Sequence, residues 1–292
     1  MTDTVLALDV GGTKMAAGLV DVDGNLLARA ARPTPTGSDP DAVLAALLDA
    51  AGEVRSGAEV ACGVGSGGPM SRGGDRVSPL NIPGWRDFPL RQRLAGALGL
   101  DVHIDNDAKA LALAEGWCGA ARGVRDFIAM VVSTGVGGGI VLDGRLLDGA
   151  DGNAGHIGHT IVEPDGRACA CGSWGCLEAE ASGTAIAART GRPPAEAPTP
   201  ERQRAGRLVG RAVASTVALL DLRLAVVAGS VALGYGDAFF TAAQEELDRR
   251  ARIGFARGAT IQRAGLADEG PLVGAAAVAW RAIGHPVLAS GG

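Results

Sequence analysis

Residues 5–14, Val-Leu-Ala-Leu-Asp-Val-Gly-Gly-Thr-Lys, form an apolar run that leads into a carboxylate, two glycines, a hydroxyl and an ammonium. A short apolar run closed by glycines predicts a buried strand followed by a turn. Residues 15–20 predict a second strand, and the turn Asp23-Gly24-Asn25 leads to a third strand over 26–31. The order strand, glycine turn, strand recurs over 127–142, which indicates two related halves.

The rest of the chain alternates further apolar strands with segments of helical periodicity. Strands are predicted at 59–65, 102–104 and 224–228, and helices at 41–54, 90–98, 106–117, 178–189, 201–220 and 236–252. Strands that alternate with helices are typical of the α/β class.

Composition narrows the class of protein. The 292 residues are 47% hydrophobic and 20% charged, which predicts an ordered globular chain with one large or two ordinary domains. A net charge of −5 gives no general attraction for nucleic acid or anionic membranes, so neither is expected as a partner. The start shows no secretory signal, and no apolar run reaches the roughly 18 residues of a membrane helix. We therefore expect a cytoplasmic protein.

Cysteine and histidine are concentrated in one short segment. Three of the five cysteines and two of the four histidines lie within residues 156–176. Thiolates and imidazole at these spacings suit tetrahedral Zn²⁺, although a loop of unpaired, buried cysteines is the alternative. Cys169 and Cys171 are too close in sequence to form a relaxed disulfide with each other. A disulfide from either of them to Cys176 would leave the third cysteine of the segment unpaired. A metal site in a reducing compartment is the better interpretation.

Two glycine turns predict phosphate binding. In the first, Gly11-Gly12 lets backbone N–H groups approach phosphate oxygens, while Thr13 and Lys14 add a donor and a charge. Ser133-Thr134-Gly135-Val136-Gly137-Gly138-Gly139 occupies the equivalent place in the second half. Each turn alone could be a plain β-hairpin, but as a matched pair they indicate one nucleotide held by two domains. Neither is a P-loop, because GxxxxGK[ST] is missing and a strand follows the first turn.

A third glycine-rich stretch gives a weaker signal. Residues 63–68 fit GxGxxG, but Pro69 and more turn residues follow where a dinucleotide-binding motif needs a helix. We expect a flexible substrate loop here instead.

Asp105-Asn106-Asp107 lies between a predicted strand and a predicted helix. A carboxylate at a helix N-terminus suits a catalytic base, but aspartate is also a frequent N-cap. From the residues alone, either Asp105 or Asp107 could reach a substrate hydroxyl.

Together these motifs resemble the ROK family of bacterial sugar kinases and related repressors over practically the whole chain. The resemblance rests on 9–14, Asn106-Asp107-Ala108, 133–139, Gly-His-Ile-Gly-His at 155–159, Cys-x-Cys-Gly-x-x-Gly-Cys at 169–176 and Leu177-Glu178. It implies a two-domain α/β fold of the actin/hexokinase-like (ribonuclease H-like) type with an interdomain cleft. The smaller domain is expected at 1–117 plus about 275–292, and the larger one, with the zinc-binding loop, at 118–274.

The resemblance also assigns roles to residues. It makes Asp107, rather than Asp105, the general base, and Asp9 the residue that holds Mg²⁺ through water. It implies a structural Zn²⁺ on His159, Cys169, Cys171 and Cys176. It implies contacts to ATP from Gly11, Gly12, Thr13, Lys14, Thr134, Gly135, Gly137 and, for the adenosine, Gly229. It implies sugar contacts from Asn81, Asn106, Asp107, His159 and Glu178, and we add His156 as a further candidate contact.

One position departs from the commoner family pattern. Many members carry Glu where this chain has His156. The segment at residues 154–160, Ala-Gly-His-Ile-Gly-His-Thr, instead resembles the corresponding segment of bacterial N-acetylmannosamine kinases. Imidazole reaches less far than a carboxylate and can donate as well as accept a hydrogen bond. The alternative is a loop histidine that points away from the ligand.

We therefore predict an ATP-dependent kinase of a hexose or N-acylhexosamine, of the glucokinase or N-acetylmannosamine kinase type. A sugar-responsive regulator of the same family is less favoured, because the first strand leaves no room for an N-terminal helix-turn-helix. A non-catalytic sugar-binding protein is the third interpretation. The resemblance favours a homodimer, while the choice of sugar and the use of polyphosphate as donor stay open.

Overall fold

The computed structural model describes residues 3–37 and 39–289. Within these residues the chain forms ten β-strands and nine α-helices. The strands are β1 (Thr4–Val10), β2 (Lys14–Asp21), β3 (Leu26–Pro33), β4 (Glu59–Ser66), β5 (Val102–Asn106), β6 (Phe127–Val132), β7 (Val136–Leu142), β8 (Arg145–Leu146), β9 (Leu224–Ala228) and β10 (Thr260–Arg263). The helices are α1 (Pro40–Val54), α2 (Leu90–Leu98), α3 (Asp107–Trp117), α4 (Leu177–Ala181), α5 (Gly183–Thr190), α6 (Thr199–Leu220), α7 (Ser230–Tyr235), α8 (Asp237–Arg250) and α9 (Gly270–Ala282).

The strands form two sheets of the same topology. The first has the order β3-β2-β1-β4-β5 and the second the order β10-β9-β6-β7-β8. In each sheet the first strand in sequence pairs antiparallel with its hairpin partner and parallel with a later strand, as β1 does with β2 and β4, and β6 with β7 and β9. The predicted α/β class and the repeat of two related halves are both confirmed.

The first sheet is buried because its central strand is apolar on both faces. Leu6 and Leu8 of β1 pack in one core with Leu47 of α1, Leu94 of α2 and the indole of Trp85. Each fully buried side chain of this size contributes about 1.5–3 kcal/mol relative to the exposed state. This core holds the carboxyl end of β1, where Asp9 lies, in a fixed place.

The opposite face of the first sheet is covered by α9, for which no element was predicted. Helix α9 packs against α3, β4 and β1. A β-carbon on Gly63 would collide with the carbonyl oxygen of Ala275, so glycine permits this close approach of helix and strand. Residues 63–66 therefore belong to β4, and the expectation of a flexible loop is wrong for them.

One predicted helix is divided in the structure. The segment predicted as 178–189 breaks at Ser182, whose hydroxyl accepts a hydrogen bond from Ala185 N–H and caps α5. The helix predicted at 236–252 is confirmed as α8, and α7, which was not predicted, precedes it and is separated from it by Gly236 at φ 56°. Strand β10 was not predicted at all.

The chain divides into two compact units. Unit 1 comprises Met1–Gly123, Leu146–Ala154 and Leu266–Gly292, and unit 2 comprises Val124–Arg145 and Gly155–Gly265. The limits given above for the two domains, and the cleft between them, stay predictions, and residues 1–2, 38 and 290–292 lie outside the described residues. Over the described part of the chain, no helix is both long enough and apolar enough to cross a membrane.

Candidate active site

The parallel strands of the first sheet bring several polar residues to one edge. Asp9 of β1 lies beside Gly65 of β4, and Gly65 lies beside Asp105 of β5. Strand β5 ends at Asn106 and α3 begins at Asp107. Because the carboxyl ends of parallel strands meet at one edge, unit 1 gathers Asp9, Asn106 and Asp107 in one place.

Asp9 has an unusual electrostatic environment. Burial and, to a smaller extent, the nearby Asp107 carboxylate raise the pKa of its carboxyl group to about 7, although the Lys14 ammonium opposes both effects. Asp9 is half-buried: part of the residue reaches solvent, and protein atoms pack around the rest of its side chain. Two interacting carboxylates at one site suit a divalent cation with oxygen ligands.

The structure separates the two aspartates that the sequence left equivalent. Oδ1 of Asp105 lies 3.0 Å from Nζ of Lys109, and the side chain of Lys109 is only 3% exposed. Asp107, in contrast, is exposed at the first residue of α3, where its Oδ1 accepts a hydrogen bond from Ala108 N–H. Asn106 is the N-cap and also accepts from Ala108 N–H. Asp105 therefore belongs to a buried ion pair, and Asp107 stands at the surface.

The first glycine turn is closed by its own backbone. Gly11 N–H donates to the Lys14 carbonyl at 3.1 Å, and the Thr34 hydroxyl donates to the Gly11 carbonyl at 2.7 Å. A β-carbon on Gly12 would lie only 2.6 Å from Cβ of Asn81. The structure thus places Asn81, a predicted sugar contact, directly beside the predicted phosphate turn, and Thr13 is exposed there.

The second glycine turn is held by the N-termini of two helices in unit 2. Gly183 N–H donates to the Ser133 carbonyl at 2.7 Å, and the Thr184 hydroxyl donates to the Thr134 carbonyl at 3.0 Å. The hydroxyls of Ser133 and Ser230 lie 2.9 Å apart. Because Gly229 immediately precedes Ser230, the predicted adenosine turn lies beside the predicted phosphate turn.

Glu178 also contacts the second glycine turn. Its Oε2 accepts a hydrogen bond from Val136 N–H at 2.9 Å and lies 2.8 Å from where a β-carbon on Gly135 would be. Gly137 follows in β7. The predicted sugar contact and the predicted phosphate turn are therefore adjoining parts of one structure.

The segment Gly-His-Ile-Gly-His packs closely on β7. A β-carbon on Gly155 would collide with the Gly138 carbonyl, and one on Gly158 would collide with the Val136 carbonyl. This packing fixes a short 3-10 turn at Ile157–His159, so that His156 is exposed and His159 half-buried. The two imidazole rings lie parallel, with centroids 6.2 Å apart.

Four potential metal ligands converge in unit 2. The ligand atoms of His159, Cys169, Cys171 and Cys176 all lie within 4.8 Å of one another. Nδ1 of His159 is 3.7 Å from Sγ of Cys169, and Sγ of Cys171 is 3.7 Å from Sγ of Cys176. One imidazole and three thiols at these separations fit a tetrahedral zinc centre.

Two carboxylates, one buried and one half-buried, anchor the loop that carries these ligands, and no motif pointed to either. Glu180 is 2% exposed, accepts a hydrogen bond from Arg167 N–H, and pairs with Arg204 of α6. Arg211 of α6 binds both the Val162 carbonyl and the Glu163 carboxylate. Lys109 was also not predicted to have a role. The available signal was a single lysine in an otherwise largely apolar helix, which can indicate a buried ion pair.

Comparison with known proteins agrees with the motifs. The ROK family profile matches residues 5–282. A glucokinase of Thermotoga maritima is 42% identical over 185 residues, which span 62% of this chain and 58% of that enzyme. An N-acetylmannosamine kinase of Citrobacter koseri is 39% identical over 249 residues, which span 80% of this chain and 85% of that enzyme.

A solved structure agrees with the fold. The ROK family glucokinase from Streptomyces griseus, crystallised with glucose and AMPPNP, superposes with a TM-score of 0.82 at 30% identity. The superposition covers 95% of this chain and 99% of that one, and it confirms the predicted actin/hexokinase-like fold. Because the family profile spans both sheets and both glycine turns, the chain belongs to the ROK family.

Proposed function

We propose that this protein is an ATP-dependent kinase that phosphorylates a hexose or an N-acylhexosamine. The observation that carries the proposal is the exposed Asp107 carboxylate at the start of α3, beside Asp9, while Asp105 is held by Lys109. Relatives named glucokinase and N-acetylmannosamine kinase support the same activity.

In the proposed reaction, Asp107 accepts the proton of a sugar hydroxyl as its oxygen attacks the γ-phosphorus. The bond between the γ-phosphorus and the β–γ bridging oxygen breaks, and ADP leaves. Phosphoryl transfer needs little covalent chemistry from the protein, so correct positioning and electrostatic stabilisation supply most of the acceleration. Asn106, the N-cap next to Asp107, is well placed to orient the sugar.

The nucleotide is held, in this proposal, by the two glycine turns. The turns Gly11–Lys14 and Thr134–Gly137 cradle the phosphates through backbone N–H groups other than those of Gly11 and Val136, which are used within the protein. Lys14 adds a positive charge, and Gly229 adjoins the adenosine. Mg²⁺ is expected with the nucleotide, and Asp9 is the residue that would hold it, through water. When bound, Mg²⁺ neutralises charge on the phosphates.

The sugar is bound by hydrogen-bonding side chains, which suits a polyol: Asn81, Asn106, Asp107, His156, His159 and Glu178. His159 is able to serve both metal and sugar, because Nδ1 faces the cysteines and leaves Nε2 for a hydroxyl. His156 stands where many family members carry Glu, and it is the residue we expect to influence the choice between glucose and N-acetylmannosamine.

We further propose that His159, Cys169, Cys171 and Cys176 bind one structural Zn²⁺. Burial, together with the neighbouring Cys171 and Cys169 thiols, raises the pKa of the Cys176 thiol to about 12, and a bound cation would favour its thiolate form at neutral pH. Four protein ligands leave no open position for a reacting water, so the metal would stabilise the loop rather than take part in the chemistry.

A coupled assay of ADP release tests the proposed activity. The panel contains glucose, mannose, N-acetylglucosamine and N-acetylmannosamine with ATP. A second series replaces ATP with polyphosphate and detects the sugar phosphate directly, because this donor forms no ADP. We expect ADP release with at least one of these sugars. If no sugar were phosphorylated but calorimetry detected sugar binding, the protein would be a non-catalytic sugar-binding protein and the proposal would be wrong.

A further inference from the structure

Glu178 contacts the second glycine turn, Ser133–Gly139, which is expected to bind the nucleotide. A residue that only bound sugar would not need this contact. It is the second residue of α4, and its Oε2 receives the N–H of Val136 at 2.9 Å. The same oxygen lies against Gly135, at 2.8 Å from the position of a β-carbon. Thr134 and Gly135 are the residues of this turn expected to bind phosphate, so one carboxylate touches the turn directly.

The backbone of Glu178 is itself firmly held. Leu177 N–H donates to the Thr160 carbonyl at 2.9 Å, and Cys176, a member of the metal cluster, is the N-cap of α4. A short β-bridge joins Ile161 to Cys176. Because α4 begins from a fixed loop, any displacement of the Glu178 carboxylate is transmitted to the turn instead of being lost in movement of the helix.

A carboxylate has two oxygens and about four lone-pair positions. In Glu178, Oε2 is used by Val136, while the side chain is only half-buried and so is still accessible from solvent. A sugar hydroxyl that donates to Oε1 would fix the rotation of the whole group. Fixing that rotation also orients the Oε2 lone pair that holds the turn.

We propose that Glu178 is a positioning residue that couples the two substrates, so that sugar binding orders the Thr134–Val136 turn for the nucleotide. This inference rests on the proposed kinase function. Thermodynamic linkage then requires each ligand to raise the affinity for the other by the same factor. We expect that factor to be about fivefold or more in the wild-type protein, within the usual range of coupling between sites.

Binding of AMPPNP, measured by calorimetry with and without saturating glucose or N-acetylmannosamine, tests the coupling. Glu178→Ala removes both oxygens and should weaken AMPPNP binding about fivefold to tenfold, the equivalent of one hydrogen bond. The sugar should no longer increase AMPPNP affinity in this variant. Glu178→Gln keeps an acceptor for Val136 N–H and should bind AMPPNP within about twofold of wild type.

Gly135→Ala provides the reciprocal test. Its β-carbon would displace the Glu178 carboxylate, so sugar affinity should fall although the substitution lies in the nucleotide turn. Glu245→Ala, which removes an exposed carboxylate on α8 of the same unit, is the matched control and should leave both affinities unchanged. Melting temperature and metal content confirm that each variant is folded.

The coupling is wrong if Glu178→Ala binds AMPPNP within twofold of wild type, or if Gly135→Ala binds sugar as tightly as wild type does. A merely structural Glu178 would instead lower the melting temperature in Glu178→Ala without changing the ratio of affinities with and without sugar. Failure of the proposed function has a different signature, since the wild-type protein would release no ADP with any sugar, whatever the ratios between the variants.

Discussion

Nζ of Lys109 lies 3.0 Å from Oδ1 of Asp105, and the two side chains are only 3% and 18% exposed. The same ammonium reaches Oδ1 of Asp148 at 2.7 Å and donates to the Gly152 carbonyl at 3.3 Å. A buried charge is tolerated only when it is paired and hydrogen-bonded. Lys109 therefore fixes Asp105 in a structural role and ties residues 148–152 to the first turns of α3.

Lys109→Met should lower the free energy of unfolding by about 3–5 kcal/mol, because it leaves Asp105 without its buried partner. Urea denaturation measures the change. Arg29→Ala is the control, since its ion pair with Asp268 is exposed and should contribute less than about 1 kcal/mol. Equal stability losses in the two variants would contradict a special role for Lys109.

Asp107→Asn should retain the fold and reduce kcat by about 10²–10⁴-fold, the usual contribution of a general base. Asp105→Asn is the matched comparison two residues away. It weakens the pair with Lys109 but leaves Asp148 in place, so it should lower the melting temperature and keep kcat within about tenfold of wild type. The assignment of Asp107 fails if its variant keeps half of the wild-type rate.

The pKa of Asp9 predicts a pH dependence. Burial and the Asp107 carboxylate raise its pKa to about 7, so the charged form that attracts Mg²⁺ increases as pH rises through that value. Affinity for Mg-AMPPNP should therefore increase between about pH 6 and pH 8, and Asp9→Asn should remove this dependence. A wild-type affinity that is flat across this range contradicts the prediction.

The same raised pKa has a consequence for stability. The unfolded carboxyl group ionises near 3.8 and the folded one near 7, so the folded state binds the proton more tightly and its stability declines as pH rises between these values. At pH 8, Asp9→Asn should melt at a higher temperature than wild type. The difference should shrink as pH falls toward 4, and melting curves across this range measure it.

Protein purified without a histidine tag should contain about one zinc per chain, as expected for a closed four-ligand site. Cys171→Ser should lose the metal and expose the 160–176 loop to hydrogen exchange, because binding free energy at such a site is folding free energy. Cys118→Ser, which changes a cysteine outside the cluster, should keep the metal. Wild-type protein that is active with almost no zinc would refute the proposal.

His156→Ala should raise the KM for sugar by the equivalent of about 1–3 kcal/mol, one or two hydrogen bonds. His156→Glu should change the ratio of kcat/KM for glucose to that for N-acetylmannosamine, since a carboxylate only accepts whereas a neutral imidazole also donates. If both variants kept the wild-type KM and the wild-type order of sugars, His156 would only shape the loop beside the metal cluster.

Much of the site follows from local sequence. Residues 5–14 are an apolar run followed by glycines, and the strand and turn that result depend on nothing distant. The four potential metal ligands lie within 18 consecutive residues, so short-range geometry brings them together. The prediction of one continuous helix over 178–189 was wrong. The break between α4 and α5 depends on the Ser182 hydroxyl, which caps α5, and hydrophobic periodicity does not reveal it.

The sequence by itself therefore determined the α/β class, the two glycine turns and the four residues of the candidate metal site. Only the tertiary structure completed the buried site of Lys109, which pairs with Asp105 four residues earlier and with Asp148, 39 residues later, and so left Asp107 as the exposed aspartate. It also decided that Glu178 contacts Val136, 42 residues earlier. A hydrogen bond between distant residues leaves no periodic trace in sequence, because either partner could bind water equally well until the fold removes the water.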